Sequence, residues 1–352
     1  MRVLIRTDAS RQIGSGHLMR CLTLARALHE KGAEVDFACR VLQGAPLEKV
    51  SLAGCTLLSL PALDGPDPPP GPLDPMADLA QLEQLIDRRT PYDLLIVDHY
   101  GLDARWERVA HQWSPQLLVL DDLANRPHDC EWLLDQNLYA DPQTRYQALV
   151  PKACHRLIGL DYVLLRPEFV QLRSTVTTRR RVGRVLASFG GTDPGNESSK
   201  ILQAWQALPG NLRLDLVVGS GHAHRASLEA AMLGDDRVRL FFDTPLMAEL
   251  ICGADLALGA AGSSAWERCC LGLPSLTIVS ADNQREVATA LSHAGAAICL
   301  GVADTVSAAD WAKAINRLCA EPDTVSAMSR AAMALVDGSG VQRVLQQLLA
   351  NT

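Results

Sequence analysis

The chain has no long apolar run. Its longest stretch without Asp, Glu, Lys or Arg is Val287 to Ala303, 17 residues interrupted by Thr289, Ser292, His293, Gly295 and Gly301. A membrane-spanning helix needs about 20 apolar residues, so no span is expected. The N-terminus offers only Val3-Leu4-Ile5 before Arg6 and Asp8, too little for the apolar core of a secretory signal. Basic residues are not in excess: 33 Lys and Arg against 40 Asp and Glu leave a net charge of −7, which does not draw a protein to polyanions. The one basic cluster, Arg179-Arg180-Arg181, reads as a solvated linker and not as a nucleic-acid surface. A soluble, cytoplasmic protein without a nucleic-acid partner is expected.

Metal and redox signatures are missing as well. The ten cysteines contain no CxxC pair, and the vicinal Cys269-Cys270 suits neither a zinc site nor an ordinary disulfide. Cys21, Cys39, Cys252 and Cys299 lie within apolar stretches, as reduced core thiols do. The nine histidines are dispersed, and His222-Ala223-His224 has no third ligand nearby. There is no GxxxxGK[ST] phosphate loop. We expect no metal and no cofactor.

What is present is ordinary globular composition, 48% apolar and 21% charged, over 352 residues, enough for about two domains. Short apolar runs alternate with helical-period segments, the pattern of βα units and parallel sheets. Strands are expected at Val3 to Arg6, Val35 to Cys39, Leu57-Leu58, Leu94 to Val97 and Leu117 to Leu120. In the second half they are expected at Arg184 to Phe189, Leu214 to Val218, Val238 to Phe242, Leu256 to Leu258, Ser275 to Val279 and Ala297 to Leu300. A helix over His17 to Lys31 presents Leu18, Leu22, Ala25 and Leu28 on one face and stops at Gly32. The basic stretch Arg173 to Arg181 interrupts the rhythm. The expected organisation is therefore a Rossmann-like domain over 1–165, a linker over 166–182 and a second Rossmann-like domain over 183–352. Two such α/β domains would face each other across a cleft, with ligands at the carboxyl ends of the strands. The segment Thr324 to Leu349 is helical in pattern and could pack on either domain. Pro61 to Pro75, with seven prolines in fifteen residues, reads as a mobile surface insertion.

The first strand leads through Arg6-Thr7-Asp8-Ala9-Ser10 and Ile13-Gly14-Ser15-Gly16-His17 into the first helix. Gly14 and Gly16 resemble the start of a dinucleotide fingerprint. However, Met19 takes the third glycine position, the loop is too long, and Asp36 lies inside its strand. His17 stands at the mouth of the helix, where the macrodipole favours a neutral ring. Two readings are open: a general base oriented by Asp8, or a helix-terminal residue making a capping contact.

The most specific segment runs from Ala254-Asp255 through Gly259-Ala260-Ala261-Gly262-Ser263-Ser264 to Glu267. A strand enters a glycine-serine turn and a helix begins, so the amides of Gly262 to Ser264 can hold a diphosphate. Glu267, about 5 Å further along, can accept hydrogen bonds from ribose hydroxyls. The plainer alternative is a capping box, since Ser264 and Glu267 fit S-x-x-E. Asn283-Gln284, after the next strand, suits sugar hydroxyls or an acetamido group, or simply caps a helix.

Leu246-Met247-x-x-Leu250-x-x-x-x-Asp255, Gly262-Ser263-Ser264-x-x-Glu267, Gly272-Leu273-Pro274 and Asn283-Gln284 resemble the donor half of GT-B nucleotide-sugar enzymes, as in the N-acetylglucosamine transferase of peptidoglycan synthesis. The N-terminal Arg6 to Ser10 and Ile13 to Cys21 are more particular. With Asp98-His99-Tyr100-Gly101, Asp121 to Arg126, Asp135 to Leu138 and Ser188-Phe189-Gly190-Gly191-Thr192-Asp193, they resemble the UDP-2,4-diacetamido-2,4,6-trideoxy-β-L-altropyranose hydrolases of pseudaminic acid biosynthesis, the route to flagellin glycosylation. The resemblance implies a GT-B-like fold and a UDP-sugar substrate attacked by water. It implies His17 as general base with Asp8 in support, and Tyr100 and Asn283 on the sugar. It also implies Gly191, Thr192, Met247, Gly262, Ser263, Ser264 and Glu267 around UDP. Each has a plainer reading: Tyr100 packing its ring in a loop, Met247 in the core, Gly191 and Thr192 forming a turn.

Overall fold

Helical crossovers that cover both faces of a sheet go with parallel pairing. Every pairing between the strands of the two sheets is parallel, including Leu117–Leu120 with Trp132–Asp135 and Trp132–Asp135 with His155–Ile158, which no helix joins. The structure, a computed structural model, describes residues 1–62, 73–87, 89–219 and 222–350. The first sheet contains β1 (Arg2–Thr7), β2 (Glu34–Arg40), β3 (Thr56–Leu60), β4 (Leu94–Asp98), β5 (Leu117–Leu120), β6 (Trp132–Asp135) and β7 (His155–Ile158), in the order β3-β2-β1-β4-β5-β6-β7. The second contains β8 (Arg184–Ser188), β9 (Arg213–Val218), β10 (Val238–Phe242), β11 (Leu256–Ala260), β12 (Ser275–Val279) and β13 (Ala297–Val302), in the order β10-β9-β8-β11-β12-β13. In each sheet the strand order reverses once, between β1 and β4 and between β8 and β11. These are the points where open α/β sheets bind ligands.

Two strands were not expected. β6 and β7 are four residues each, like β5, but β6 ends in Asp135 and β7 at the sheet edge opens with the exposed His155 and Arg156, so neither is written as an uninterrupted apolar run. The chain divides into two compact units, Met1–Leu164 with Ser339–Thr352, and Leu165–Gly338. The expected linker over 166–182 is thus part of the second unit. Its helix Pro167–Arg173 buries Phe169 and packs against helices Met247–Gly253 and Ser264–Cys270. Arg179 is not solvated: its buried guanidinium donates to the carbonyl oxygens of Ile251, Cys252, Ala254 and Leu271. Burial lowers the Arg179 pKa, outweighing the opposing pull of Cys252 and Asp255.

The expected C-terminal helix is two helices, Pro322–Leu335 and Gly340–Leu349, and they part company. The second returns to the first unit, where Val341, Val344, Leu345 and Leu348 join a core containing Leu18, Leu22, Ala25 and Leu28 of helix Gly16–His29. Burying such side chains contributes about 1.5–3 kcal/mol each. Gly340 permits the approach, because a Cβ there would lie 2.2 Å from the Val163 carbonyl oxygen. The ten cysteines form no disulfide, and none of the described helices is long and apolar enough to cross a membrane. Of the proline-rich insertion, residues 63–72 lie outside the described residues.

Candidate active site

At the reversal of the first sheet, Thr7 at the end of β1 pairs with Asp98 at the end of β4. The loop after β1 is folded by Ser10, whose Oγ accepts from the amides of Gln12 and Ile13 at 3.1 and 3.0 Å. Helix Gly16–His29 then starts with His17 in its first turn, and the ring does not cap the helix. Its Nδ1 lies 2.6 Å from Asp98 Oδ1. Two acceptors would repel at that distance, so the Nδ1 proton faces Asp98, and in the neutral form of the ring the lone pair is on Nε2.

Arg20, one turn further on, grips the same carboxylate: Nε donates to Oδ2 and Nη2 to Oδ1, both at 2.6 Å. Burial pushes the Asp98 carboxyl up, but Arg20 and His17 outweigh it and hold Asp98 well below the usual carboxylate range. Arg20 Nη1 also donates to Asp122 Oδ2 at 3.1 Å, and Asp122 Oδ1 accepts from the Tyr100 hydroxyl at 2.6 Å. Burial and Asp122 keep the Tyr100 phenol protonated. The Tyr100 ring stands edge-on to His17, with centroids 4.5 Å apart. His17, Asp98, Arg20, Asp122 and Tyr100 thus form one chain of contacts at the carboxyl ends of β4 and β5.

The Asp8 expectation is corrected. Its carboxylate is engaged elsewhere, with Arg6 at 2.5 and 3.0 Å, the Arg40 amide at 2.7 Å and His99 Nε2 at 3.1 Å. Arg6 in turn holds the buried Asp78 of helix Pro75–Glu83. Asp8 therefore ties the loop to β2 and to that helix, and the carboxylate on His17 is Asp98. Asp98, Arg20 and Asp122 lay in recognised motifs without an assigned role. The signals for them were the His17–Arg20 spacing of three, which shares a helix face, and an aspartate at the end of a strand beside β1.

At the reversal of the second sheet, β8 and β11 run side by side, with Ser188 opposite Gly259. Gly191 and Thr192 follow β8 and Gly262 to Ser264 follow β11, so the structure brings these two turns to neighbouring strand ends. Gly219, at the end of β9, allows the loop after β8 to lie close, since a Cβ would sit 2.0 Å from the Gly191 carbonyl oxygen. Ser263 and Ser264 are exposed. The capping-box alternative is not what forms: Ser264 Oγ accepts from Arg268 Nη1 at 3.1 Å, and Glu267 Oε1 accepts from Arg166 Nη2 at 3.3 Å. Burial pushes the Glu267 carboxyl up, with Arg166 acting against it. Met247 opens helix Met247–Gly253 and is half-buried. Asn283 is exposed on the 3-10 turn after β12, next to β11. His222 is buried with Nε2 3.3 Å from Asp193 Oδ2, and no group of three or more His, Cys, Asp or Glu among the described residues is arranged to hold a metal ion.

The chain is 29% identical over 298 residues, 84% of its length and 97% of the relative's, to the UDP-2,4-diacetamido-2,4,6-trideoxy-beta-L-altropyranose hydrolase of Campylobacter jejuni. The chain is similar to this hydrolase along most of its length. It is also 24% identical over 255 residues to the spore coat polysaccharide biosynthesis protein SpsG of Bacillus subtilis, covering 72% of the chain and 75% of SpsG. Among solved structures, the spinosyn rhamnosyltransferase SpnG superposes with a TM-score of 0.64 at 20% identity, covering 100% of both chains. The fold is GT-B, two Rossmann-like parallel-sheet domains. No family model matches the chain.

Proposed function

We propose that this protein hydrolyses a UDP-linked diacetamido sugar, UDP-2,4-diacetamido-2,4,6-trideoxy-β-L-altropyranose, to the free sugar and UDP. The observation that carries the reading is the His17–Asp98 pair, which leaves Nε2 as an acceptor beside the Tyr100 ring. The similarity to the Campylobacter hydrolase supplies the substrate. Water attacks the anomeric carbon as His17 Nε2 takes its proton, and the carbon–oxygen bond to the diphosphate breaks with its electron pair leaving on UDP. Attack opposite the leaving group inverts the anomeric centre. Asp98 stabilises the imidazolium as it forms. Tyr100 and Asn283 hold the sugar. In the second unit, Gly191, Thr192, Gly262, Ser263 and Ser264 receive the diphosphate, Glu267 the ribose and Met247 the uracil. The amides of the glycine-serine turn stabilise charge developing on the departing phosphate.

Incubating the protein with the UDP-sugar and no acceptor tests the reading: UDP release with inversion of the sugar is expected, undiminished by EDTA. Loss of activity with EDTA and recovery with magnesium would contradict the metal-free mechanism. A second reading, a glycosyltransferase, draws on the likeness to SpnG and predicts slow release that an acceptor accelerates. A nucleotide-sugar sensor would release none.

Glu267→Ala should weaken UDP binding by about 1.5–3 kcal/mol, the range for hydrogen bonds to a charged group. Calorimetry giving wild-type affinity in the folded variant would remove Glu267 from the ribose.

A further inference from the structure

Arg268 is a buried cation in an unusual place. It belongs to the last turn of helix Ser264–Cys270, yet helical side chains lean towards the N-terminus, and its guanidinium reaches back to the helix start. There Nη1 donates to Ser264 Oγ at 3.1 Å and Nη2 to the Ala260 carbonyl at 2.9 Å, while Nε donates to Ser275 Oγ at 3.2 Å. The residue is 4% exposed. All three acceptors are neutral, and among the described residues no carboxylate lies within ion-pair distance. The adjacent Glu267 pairs with Arg166 instead.

Two considerations make this arrangement costly. A buried charge without a contact ion pair is disfavoured, and burial lowers the Arg268 pKa, outweighing the pull of Cys269 and of the more distant Glu267 carboxylate. A helix start, moreover, is the end that favours anions, not cations. The backbone nevertheless makes room for the group: a Cβ on Gly259 would lie 3.1 Å from Arg268 Nη1 and 2.6 Å from the Ser188 carbonyl oxygen. Strand β11 is thus cut away where the guanidinium passes beneath the exposed Ser263-Ser264 turn.

We propose that Arg268 is a positioning residue for the diphosphate, a fixed charge under the glycine-serine turn whose counter-ion arrives with the nucleotide. The inference rests on the proposed UDP site. It adds that the attraction comes from a buried side chain that never touches solvent-exposed ligand atoms directly and acts through Ser264 and the turn. It follows that the second unit discriminates strongly between a nucleoside and its diphosphate.

The test is calorimetric titration of wild type, Arg268→Gln and Arg268→Lys with UDP, uridine and pyrophosphate. Loss of a unit charge beneath the turn should weaken UDP and pyrophosphate binding on the order of tenfold to hundredfold. Uridine affinity should stay unchanged, and Lys should restore most of the loss. Arg268→Gln binding UDP as wild type does would overturn the proposal. Equal losses for UDP and uridine would do so too, because they mark a merely structural arginine. If the Gln variant does not fold, the Lys variant decides: its preference for UDP over uridine must persist, and equal affinities overturn the proposal. Failure of the underlying reading looks different, since wild type would then ignore UDP while pyrophosphate binding still depended on Arg268.

Discussion

His17→Asn lowers turnover of the UDP-sugar by about 10²–10⁴-fold, the usual cost of removing a general base, while UDP affinity and the unfolding midpoint barely change. The expectation follows from where the ring's contacts go. His17 caps no backbone amide, so the helix start loses nothing. Asparagine can still donate to Asp98, and Asp98 keeps both bonds from Arg20. In the proposed function, UDP is held by residues of the other unit. Steady-state kinetics beside thermal unfolding separates the alternatives: lower stability with nearly normal turnover would return His17 to a structural role and reopen the binding-protein reading.

Asp98→Asn is expected to do more, because Asp98 orients His17 and also neutralises the largely buried Arg20. Without the carboxylate nothing fixes the proton on Nδ1, and turnover falls by about 10²–10⁴-fold, as for loss of the base itself. Arg20 is left with Asp122 alone, and breaking a buried pair from one side costs about 3–5 kcal/mol. The pH dependence carries a sign. Asp98 is held below its unfolded value, so its stabilisation is present above an unfolded aspartate's pKa of about 3.9 and is lost as pH falls towards the folded one. Urea unfolding between pH 7 and pH 3 should therefore show a shallower acid loss in the variant than in wild type. A folded Asp98→Asn protein with wild-type turnover would remove Asp98 from the mechanism.

The βα rhythm was legible because buried parallel strands are written as apolar runs such as Leu94 to Val97 and Leu117 to Leu120. The glycine-serine turn and His17 were legible because small residues before a helix leave a local mark. The partner of His17 was not. Asp8 and Asp98 are both aspartates near strand ends, and only the order of strands decides which reaches the ring. Asp8, nearer in sequence, points to Arg6 and β2, whereas Asp98 arrives from the adjacent strand β4. The buried Arg179 was misread for a related reason. An arginine satisfied by four carbonyl oxygens at the C-terminal ends of two distant helices has the same local sequence as a solvated one. Helix Gly340–Leu349 showed its apolar stripe plainly, but a stripe does not say which core it completes.

That helix sets an order of assembly. It follows the whole second unit in the chain, yet Val341, Val344, Leu345 and Leu348 back the helix that carries His17. During synthesis the unit Leu165–Gly338 has all of its core before the unit that carries His17 does. The earlier-made unit must wait, with an apolar groove along helix Gly16–His29 uncovered, until its last helix is made. The histidine is thus set in its final frame only by residues more than three hundred positions later in the chain, and a ribosome that stalls after Gly338 leaves the second unit whole and the first without the helix that backs His17.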